Sequence, residues 1–321
     1  MASSASTSLK GLREELRNNV SREVLLLART APAKVTSKDG LIGHDFVTDI
    51  DLSIQTYLKT ALTSLLPSAR FVGEEEFADI ADPSNGLMWI ADPLDGTVNF
   101  VSGLPFCACS IALLADGVPL LAMVVDLTMA TVWDAEAGRG AARDGVAITF
   151  DPRRAQSALI SVSSGTVLLD AQTPGLGLLA RLRRASPRLR ILGSQALQLC
   201  YAAEGRLRLV INREAKLWDD AAGWLICREA GAAYTLATRE SLFPLKAGGD
   251  AAQGNNIFSI AGEPRMVAEV ASHIQQFSGT APHDKSYRDD PSPIGISTIE
   301  TKEPPRDRRN ADVRPRDAES V

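Results

Sequence analysis

Cysteine and histidine are scarce in this sequence, and their scarcity excludes several kinds of reactive site. The 321 residues include four cysteines and three histidines. The cysteines form no C-x-x-C pair, so the sequence does not indicate a zinc ribbon or a thioredoxin-like redox motif. We expect reduced, buried thiols in a cytoplasmic protein. Because no histidine lies in the acidic motifs described below, a phosphohistidine mechanism is not supported.

The sequence also lacks an excess of positive charge and a long uninterrupted hydrophobic run. Its formal net charge is −5, which predicts no basic surface for nucleic acid or for an acidic membrane. The most apolar stretch, residues 111–133, is interrupted by aspartate, glycine and proline and is unsuited to span a membrane. Residues 1–10 do not have the pattern of a secretory signal. We therefore expect no nucleic-acid partner and no membrane partner.

Helical and strand-like segments alternate along the first 277 residues. Residues 9–29 have the apolar spacing of an amphipathic helix, and apolar runs between residues 107 and 134 predict antiparallel strands. The later alternation of short strands and helices predicts an α/β or α+β fold with helices covering sheets. Residues 278–321 are rich in charge and proline and have no periodic apolar face. We therefore predict one globular domain over 1–277 and a disordered tail over 278–321.

The strongest motif is the segment WIADPLDGTVNF, in which an apolar strand runs into acidic residues. We expect Asp92 at the end of the strand, because Pro93 cannot continue a backbone ladder. Asp95 and Gly96 should then turn the chain into a helix that starts near Thr97. Two carboxylates that converge beside the free N–H groups of a helix start suit a hard cation and a phosphate.

Three other acidic residues have similar contexts. Glu74 follows a short strand and a glycine, Asp219 lies at the start of a helix, and Asp51 lies in the segment VTDID. Each also has an ordinary structural explanation, since Asp at a helix start is usually an N-cap and Glu is usually solvated. Taken singly, none of the three indicates a site.

Taken together, these segments resemble the inositol monophosphatase family of magnesium-dependent, lithium-sensitive phosphatases, which includes relatives similar to fructose-1,6-bisphosphatase. The resemblance runs from about residue 9 to residue 277 and depends on two long signatures, WIADPLDGTVNF and WDDAAGWLICREAG. It implies a layered α-β-α-β-α sandwich with the metal site where two sheet regions meet. It also suggests a homodimer.

The resemblance assigns roles to individual residues. It implies a site for two or three Mg²⁺ ions, held by four carboxylates and one backbone carbonyl from Glu74, Asp92, Leu94, Asp95 and Asp219. Glu74 and Thr97 would orient the attacking water, and Asp51 would support Thr97. The backbone of Gly96 and Thr97 would hold the phosphate.

Electrostatics favours a shared cation at such a site. Two unit charges about 4 Å apart repel by roughly 4 kcal/mol at an effective dielectric constant near 20. Several unpaired carboxylates at one place would therefore be strongly destabilising, and divalent cations would convert the repulsion into affinity. Phosphate monoesters hydrolyse very slowly without a catalyst, so concentrated positive charge suits the reaction.

Substrate contacts are implied by the segment GSQA and by one position before the second signature. Gly193, Ser194 and Ala196 match the family segment that lines the hydroxyl side of the substrate, although an ordinary turn with a serine cap would have the same sequence. Inositol-directed members often carry Glu seven residues before the equivalent of Asp219, where this sequence has Asn212. Asn can bind hydroxyl groups, but without a charge-assisted contact.

The leading hypothesis is a phosphatase for inositol monophosphate or a similar sugar or polyol phosphate. Histidinol phosphate and fructose 1,6-bisphosphate are alternative substrates. A catalytically silent binding or regulatory protein with the same fold is an alternative of a different class. The enzyme is favoured over it because every expected carboxylate is present.

Overall fold

The computed structural model of the chain describes residues 8–30, 35–37, 46–74, 76, 84–157, 159–186 and 188–277. The predicted disordered tail lies outside these residues, so the domain boundary at residue 277 stays a prediction. The described residues form two large β-sheets and a short antiparallel hairpin of β1 (Val35–Ser37) and β2 (Phe46–Thr48).

The larger sheet has seven strands that lie side by side in chain order. They are β3 (Arg70–Gly73), β4 (Leu87–Asp95), β5 (Ala108–Ala115), β6 (Val118–Asp126), β7 (Val132–Glu136), β8 (Gly140–Arg143) and β9 (Val146–Ile148). Only β3 and β4 pair in parallel within this sheet. In β4, Met88 and Ile90 face one hydrophobic core and Trp89 and Ala91 face another, as strand alternation requires.

The smaller sheet has five strands. In spatial order they are β11 (Leu189–Arg190), β10 (Leu159–Val162), β12 (Leu207–Ala215), β14 (Ile257–Gly262) and β13 (Ala233–Leu236). The strand β10 is parallel to both of its neighbours, and the remaining pairs are antiparallel. This mixed pairing agrees with the predicted alternation of strands and helices.

Helices cover the outer face of each sheet and fill the space between the sheets. The larger sheet is covered by α1 (Leu9–Glu15), α2 (Ser21–Thr30) and α3 (Asp49–Leu65), and the smaller by α6 (Ser164–Gln172), α7 (Leu178–Ala185) and α10 (Pro264–Gln275). The inner layer contains α8 (Gln195–Ala203) and α9 (Leu217–Ala230), and a short helix, α5 (Pro152–Ser157), precedes β10. These layers confirm the predicted α-β-α-β-α sandwich. None of the helices in the described part of the chain has the length and hydropathy of a membrane span.

Two predicted elements differ locally from the structure. The first amphipathic helix contains a π-helical turn, Leu16–Val20, between α1 and α2. The prediction that the ladder stops at Pro93 is wrong, because β4 continues to Asp95. A bulge takes Pro93 and Leu94 out of register, and pairing resumes between Asp95 and Ala108. Proline is tolerated in this central strand because it lies in the bulge.

Candidate metal centre

The bulge in β4 brings two carboxylates to one end of the strand. Asp92 pairs with Ser110 before the bulge, and Asp95 pairs with Ala108 after it. Both side chains are buried, with exposed fractions of 2% and 8%. The backbone N–H of Leu94 donates a hydrogen bond of 2.9 Å to Asp92 Oδ1. The backbone of the bulge therefore orients the Asp92 carboxylate through this hydrogen bond.

A third carboxylate comes from the start of α9. Asp219 is the third residue of this helix, and its Oδ2 accepts a hydrogen bond of 2.7 Å from the backbone N–H of Lys216. This contact is half of a capping box, so the helix start accounts for the local position of Asp219. Carboxylate oxygens of Asp92, Asp95 and Asp219 nevertheless lie within 4.8 Å of one another. The two signature segments therefore meet in space.

The electrostatics of this cluster fit a bound cation. Burial raises the pKa of Asp92 well above its ordinary value, and the charges of Glu74, Asp219 and Asp95 raise it further. Burial also raises the pKa of Asp219 well above its ordinary value. Within the described residues, no lysine or arginine forms an ion pair with Asp92, Asp95 or Asp219. Three such oxygen donors fit a divalent cation of the hard type.

The first turn of α8 holds Asp95 in place. Ser194 Oγ donates to Asp95 Oδ2 over 2.6 Å, and the backbone N–H of Ala196 donates to the same oxygen over 2.7 Å. Burial raises the pKa of Asp95 to about 6, although these hydrogen bonds and one from the Gln195 backbone lower it. Ser194 and Ala196, which were predicted to line the substrate, thus have a demonstrated contact with a candidate metal ligand.

We expect Ser194→Ala to lower magnesium affinity by roughly 10–100-fold, the usual effect of removing a group that orients a metal ligand. The variant also loses the N-cap of α8, which should lower the free energy of unfolding by about 1 kcal/mol. Ser163→Ala is a matched control, because Ser163 caps α6. It should show a similar stability loss with unchanged magnesium affinity. Calorimetric titration with Mg²⁺ measures the difference, and equal affinities in the two variants would contradict the role of Ser194.

The start of α4 (Thr97–Val101) lies directly after the acidic turn. Gly96 precedes the helix with a φ of 89°, in the left-handed region that favours glycine. Thr97 Oγ1 donates a hydrogen bond of 2.8 Å to the carbonyl oxygen of Leu94. A carbonyl oxygen has two lone pairs, so this bond leaves one free on Leu94. The role of this carbonyl as a metal ligand stays a prediction.

Asn99 fastens α4 to the segment that precedes α8. Its Nδ2 donates to the carbonyl oxygen of Phe106 over 2.8 Å and to that of Leu192 over 2.7 Å. The neighbouring Gly193 has a φ of +81°, and a Cβ at that position would lie 2.8 Å from the Asn99 amide nitrogen. Gly193 is therefore needed for a close backbone approach at the site. A direct substrate contact for this residue stays a prediction.

Glu74 and Asp51 lie on elements that adjoin the cluster. Glu74 follows Gly73 at the end of β3, which pairs with β4, and its charge acts on Asp92, Asp95 and Asp219. Asp51 is buried near the start of α3, where its Oδ2 accepts a hydrogen bond of 2.7 Å from the Thr48 backbone. The strand β2, which ends at Thr48, packs near α4. The predicted support of Thr97 by Asp51 stays a prediction.

A buried polar network behind the cluster was missed by the sequence analysis. Asp220 is fully buried and accepts hydrogen bonds of 2.7 Å from Gln195 Nε2 and from Tyr234 Oη. Gln195 Oε1 in turn accepts a hydrogen bond of 2.9 Å from Asn212 Nδ2. Burial raises the pKa of Asp220 to about 6, although these two donors and Ser259 lower it. The predicted contact between Asn212 and substrate stays a prediction, and the Asn212 Nδ2 group already donates one hydrogen bond to Gln195.

The chain is similar to known proteins over most of its length. A profile of the inositol monophosphatase family matches residues 12–276. The inositol-1-monophosphatase SuhB of Mycobacterium tuberculosis is 32% identical over 252 residues, which cover 74% of this chain and 81% of that protein. The Nus factor SuhB of Vibrio cholerae is 32% identical over 239 residues, covering 74% of this chain and 85% of that protein.

A solved structure extends the similarity to three dimensions. The inositol monophosphatase of Thermotoga maritima superposes with a TM-score of 0.66 at 27% identity, covering 84% of this chain and 97% of that chain. The layers and both signature segments agree with this similarity, and the family profile spans most of the chain. The chain is therefore a member of the inositol monophosphatase family.

Proposed function

We propose that this phosphoric monoester hydrolase uses magnesium to cleave the phosphate ester of a small polyol or sugar. The observation that carries the proposal is the meeting of Asp92, Asp95 and Asp219, whose carboxylate oxygens lie within 4.8 Å of one another. Magnesium prefers such carboxylate oxygens and commonly binds together with a substrate phosphate. Membership of the inositol monophosphatase family supports this reaction class.

Asp92, Asp95, Asp219, Glu74 and the carbonyl oxygen of Leu94 would hold the metal. Bound magnesium would supply positive charge that favours deprotonation of water and stabilises the negative phosphate oxygens. Ser194 and Ala196 keep the Asp95 carboxylate in place through their hydrogen bonds. The chain therefore presents a preorganised set of ligands, which limits reorganisation during the reaction.

Glu74 and Thr97 would position the attacking water. The Thr97 hydroxyl donates a hydrogen bond to the carbonyl oxygen of Leu94, so the hydroxyl oxygen can still accept a hydrogen bond from a water molecule. The Glu74 carboxylate would accept a proton of this water as the new P–O bond forms and the ester P–O bond breaks, and the proton would then pass to the leaving oxygen, which departs as the alcohol. The backbone N–H groups of Gly96 and Thr97 would bind the phosphate, and Asp51 would support Thr97.

Recognition of the substrate hydroxyl groups would fall to the α8 side of the site. This side would be lined by Gly193, Ser194 and Ala196. Asn212 would contribute the second N–H of its side-chain amide, since the first is bonded to Gln195. Because Asn212 is neutral and already bonded to Gln195, we propose a broader preference than strict myo-inositol specificity. Proposed alternatives are histidinol phosphate and fructose 1,6-bisphosphate.

A regulatory role is the second candidate function, and one observation favours it. The relative from Vibrio cholerae is named a Nus factor although it is 32% identical to this chain. A protein with only that role would not need Asp92, Asp95 and Asp219 together, so we place catalysis first. The family resemblance also leads us to propose a homodimer.

Phosphate release from a substrate panel tests the proposed function. We expect activity on inositol 1-phosphate that requires added Mg²⁺, is abolished by a chelator and is inhibited by lithium. Fructose 1,6-bisphosphate and histidinol phosphate in parallel reactions distinguish the alternative substrates. Absence of magnesium-dependent phosphate release from every substrate would reject the enzymatic proposal and favour the regulatory one.

A further inference from the structure

A cavity lies against the smaller sheet. It has a volume of about 330 Å³ and is lined by residues of α6, α10, β13 and β14. Its walls are mostly apolar and include Leu169, Leu176, Leu242, Ile257 and Phe277. This volume falls at the lower end of the range for small-molecule sites, which are typically apolar with a few polar groups.

The cavity is distinct from the metal centre. Asn212 bonds Gln195 beside α8, whereas the next residue, Arg213, lines the cavity. None of the candidate metal ligands lines the cavity. A ligand in the cavity would therefore not occupy the carboxylate cluster.

One cation in the cavity wall has no counter-ion among the residues that the structure describes. Arg213 is half-buried, and its guanidinium forms no ion pair, although its backbone N–H bonds Ser163 Oγ. An arginine that lines an apolar cavity without a paired carboxylate favours an anionic group beside it, so Arg213 indicates a site for an external anion.

We propose that this cavity binds a small carboxylic acid with an apolar body. The guanidinium of Arg213 binds the carboxylate through paired N–H···O bonds, the geometry that arginine favours. The apolar walls bury the hydrocarbon part. Asp250 also lines the cavity, but it is exposed and bonded to Asn255, so water screens its charge.

Calorimetric titration of the full chain with octanoate tests the proposal. We expect saturable binding of octanoate. Binding of 1-octanol and octylamine should be weaker by about tenfold or more, because these probes keep the hydrocarbon chain but remove or reverse the charge. Absence of octanoate binding, or equal affinity for octanoate and 1-octanol, would overturn the proposal.

Variants locate the site. Arg213→Gln should weaken octanoate binding by about tenfold or more through loss of the cation. Arg188→Gln, which changes an exposed arginine outside the cavity lining, should leave the affinity unchanged. Leu242→Phe adds volume to the wall and should also weaken binding, with circular dichroism showing that it is folded. Wild-type affinity in Arg213→Gln, or in a folded Leu242→Phe, would contradict the assignment.

Discussion

Asp92→Asn should reduce turnover roughly a thousandfold or more, because metal ligands support several kcal/mol of charge stabilisation in the transition state. Asparagine is close to aspartate in size, and its Oδ1 can still accept the 2.9 Å hydrogen bond from the Leu94 backbone. The fold should therefore survive. Phosphate release and circular dichroism on one preparation measure both effects, and near-normal turnover would refute the ligand assignment.

The same substitution should change how magnesium affects stability. Without a cation, the negative charges of Asp92, Glu74, Asp219 and Asp95 repel one another in a buried place. Asp92→Asn removes one of these charges, so the metal-free variant should melt at or above the wild-type Tm. Added Mg²⁺ should raise the Tm of the wild type and have little effect on the variant, because binding stabilises only the state that binds. Thermal melts with and without Mg²⁺ measure this difference.

Asp134→Asn provides a matched control for the loss of a buried carboxylate. Asp134 and Asp92 are both buried. Unlike Asp92, Asp134 forms ion pairs with Arg13 and Arg17 of the first helical segment. Removing one partner of a buried ion pair typically costs about 3–5 kcal/mol. We therefore expect a lower Tm but normal turnover per folded molecule. This contrast separates damage to the fold from damage to the metal centre.

The cluster could be predicted because each ligand has a local sequence signal. Asp92 follows an apolar strand, and Asp219 lies at a helix start, so their backbone settings are readable from the sequence. Their meeting was supplied by resemblance to a family rather than by these patterns, which do not encode distance. The structure confirms that Asp92, Asp95 and Asp219 meet. The layered fold follows similarly, since apolar periodicity identifies faces that must be covered.

The polar network behind the site was beyond such reasoning. Gln195 and Asp220 are polar residues in the first turns of helices, where polar residues are common. Their burial depends on α8 and α9 lying between two sheets. Tyr234 reaches Asp220 from β13, a strand that the sequence analysis did not identify. The bulge at Pro93 was missed for a related reason, because pairing with β5 resumes after it. Tertiary packing decided each of these features.

The second large effect is expected for Gly96→Ala, which places a methyl group at a crowded backbone position of the site. A Cβ there would lie 3.0 Å from the Phe106 carbonyl oxygen and 3.1 Å from that of Gly193. The left-handed φ of 89° adds a cost of about 1–2 kcal/mol for any residue with a Cβ. Because Gly96 joins Asp95 to Thr97, relief of the contact would displace both. A displacement of about 1 Å at a reacting group costs roughly 10²-fold in rate.

Gly86→Ala separates backbone strain from displacement of the site. Gly86 also has a left-handed φ, +72°, but a Cβ there would meet no atom within 4 Å. Both variants should therefore lose about 1–2 kcal/mol of stability to strain, whereas only Gly96→Ala should lose turnover. Urea unfolding and phosphate release measured on both variants test this contrast. If both variants lost turnover equally, the effect would come from general destabilisation, and the positioning role of the Asp95–Thr97 turn would be wrong.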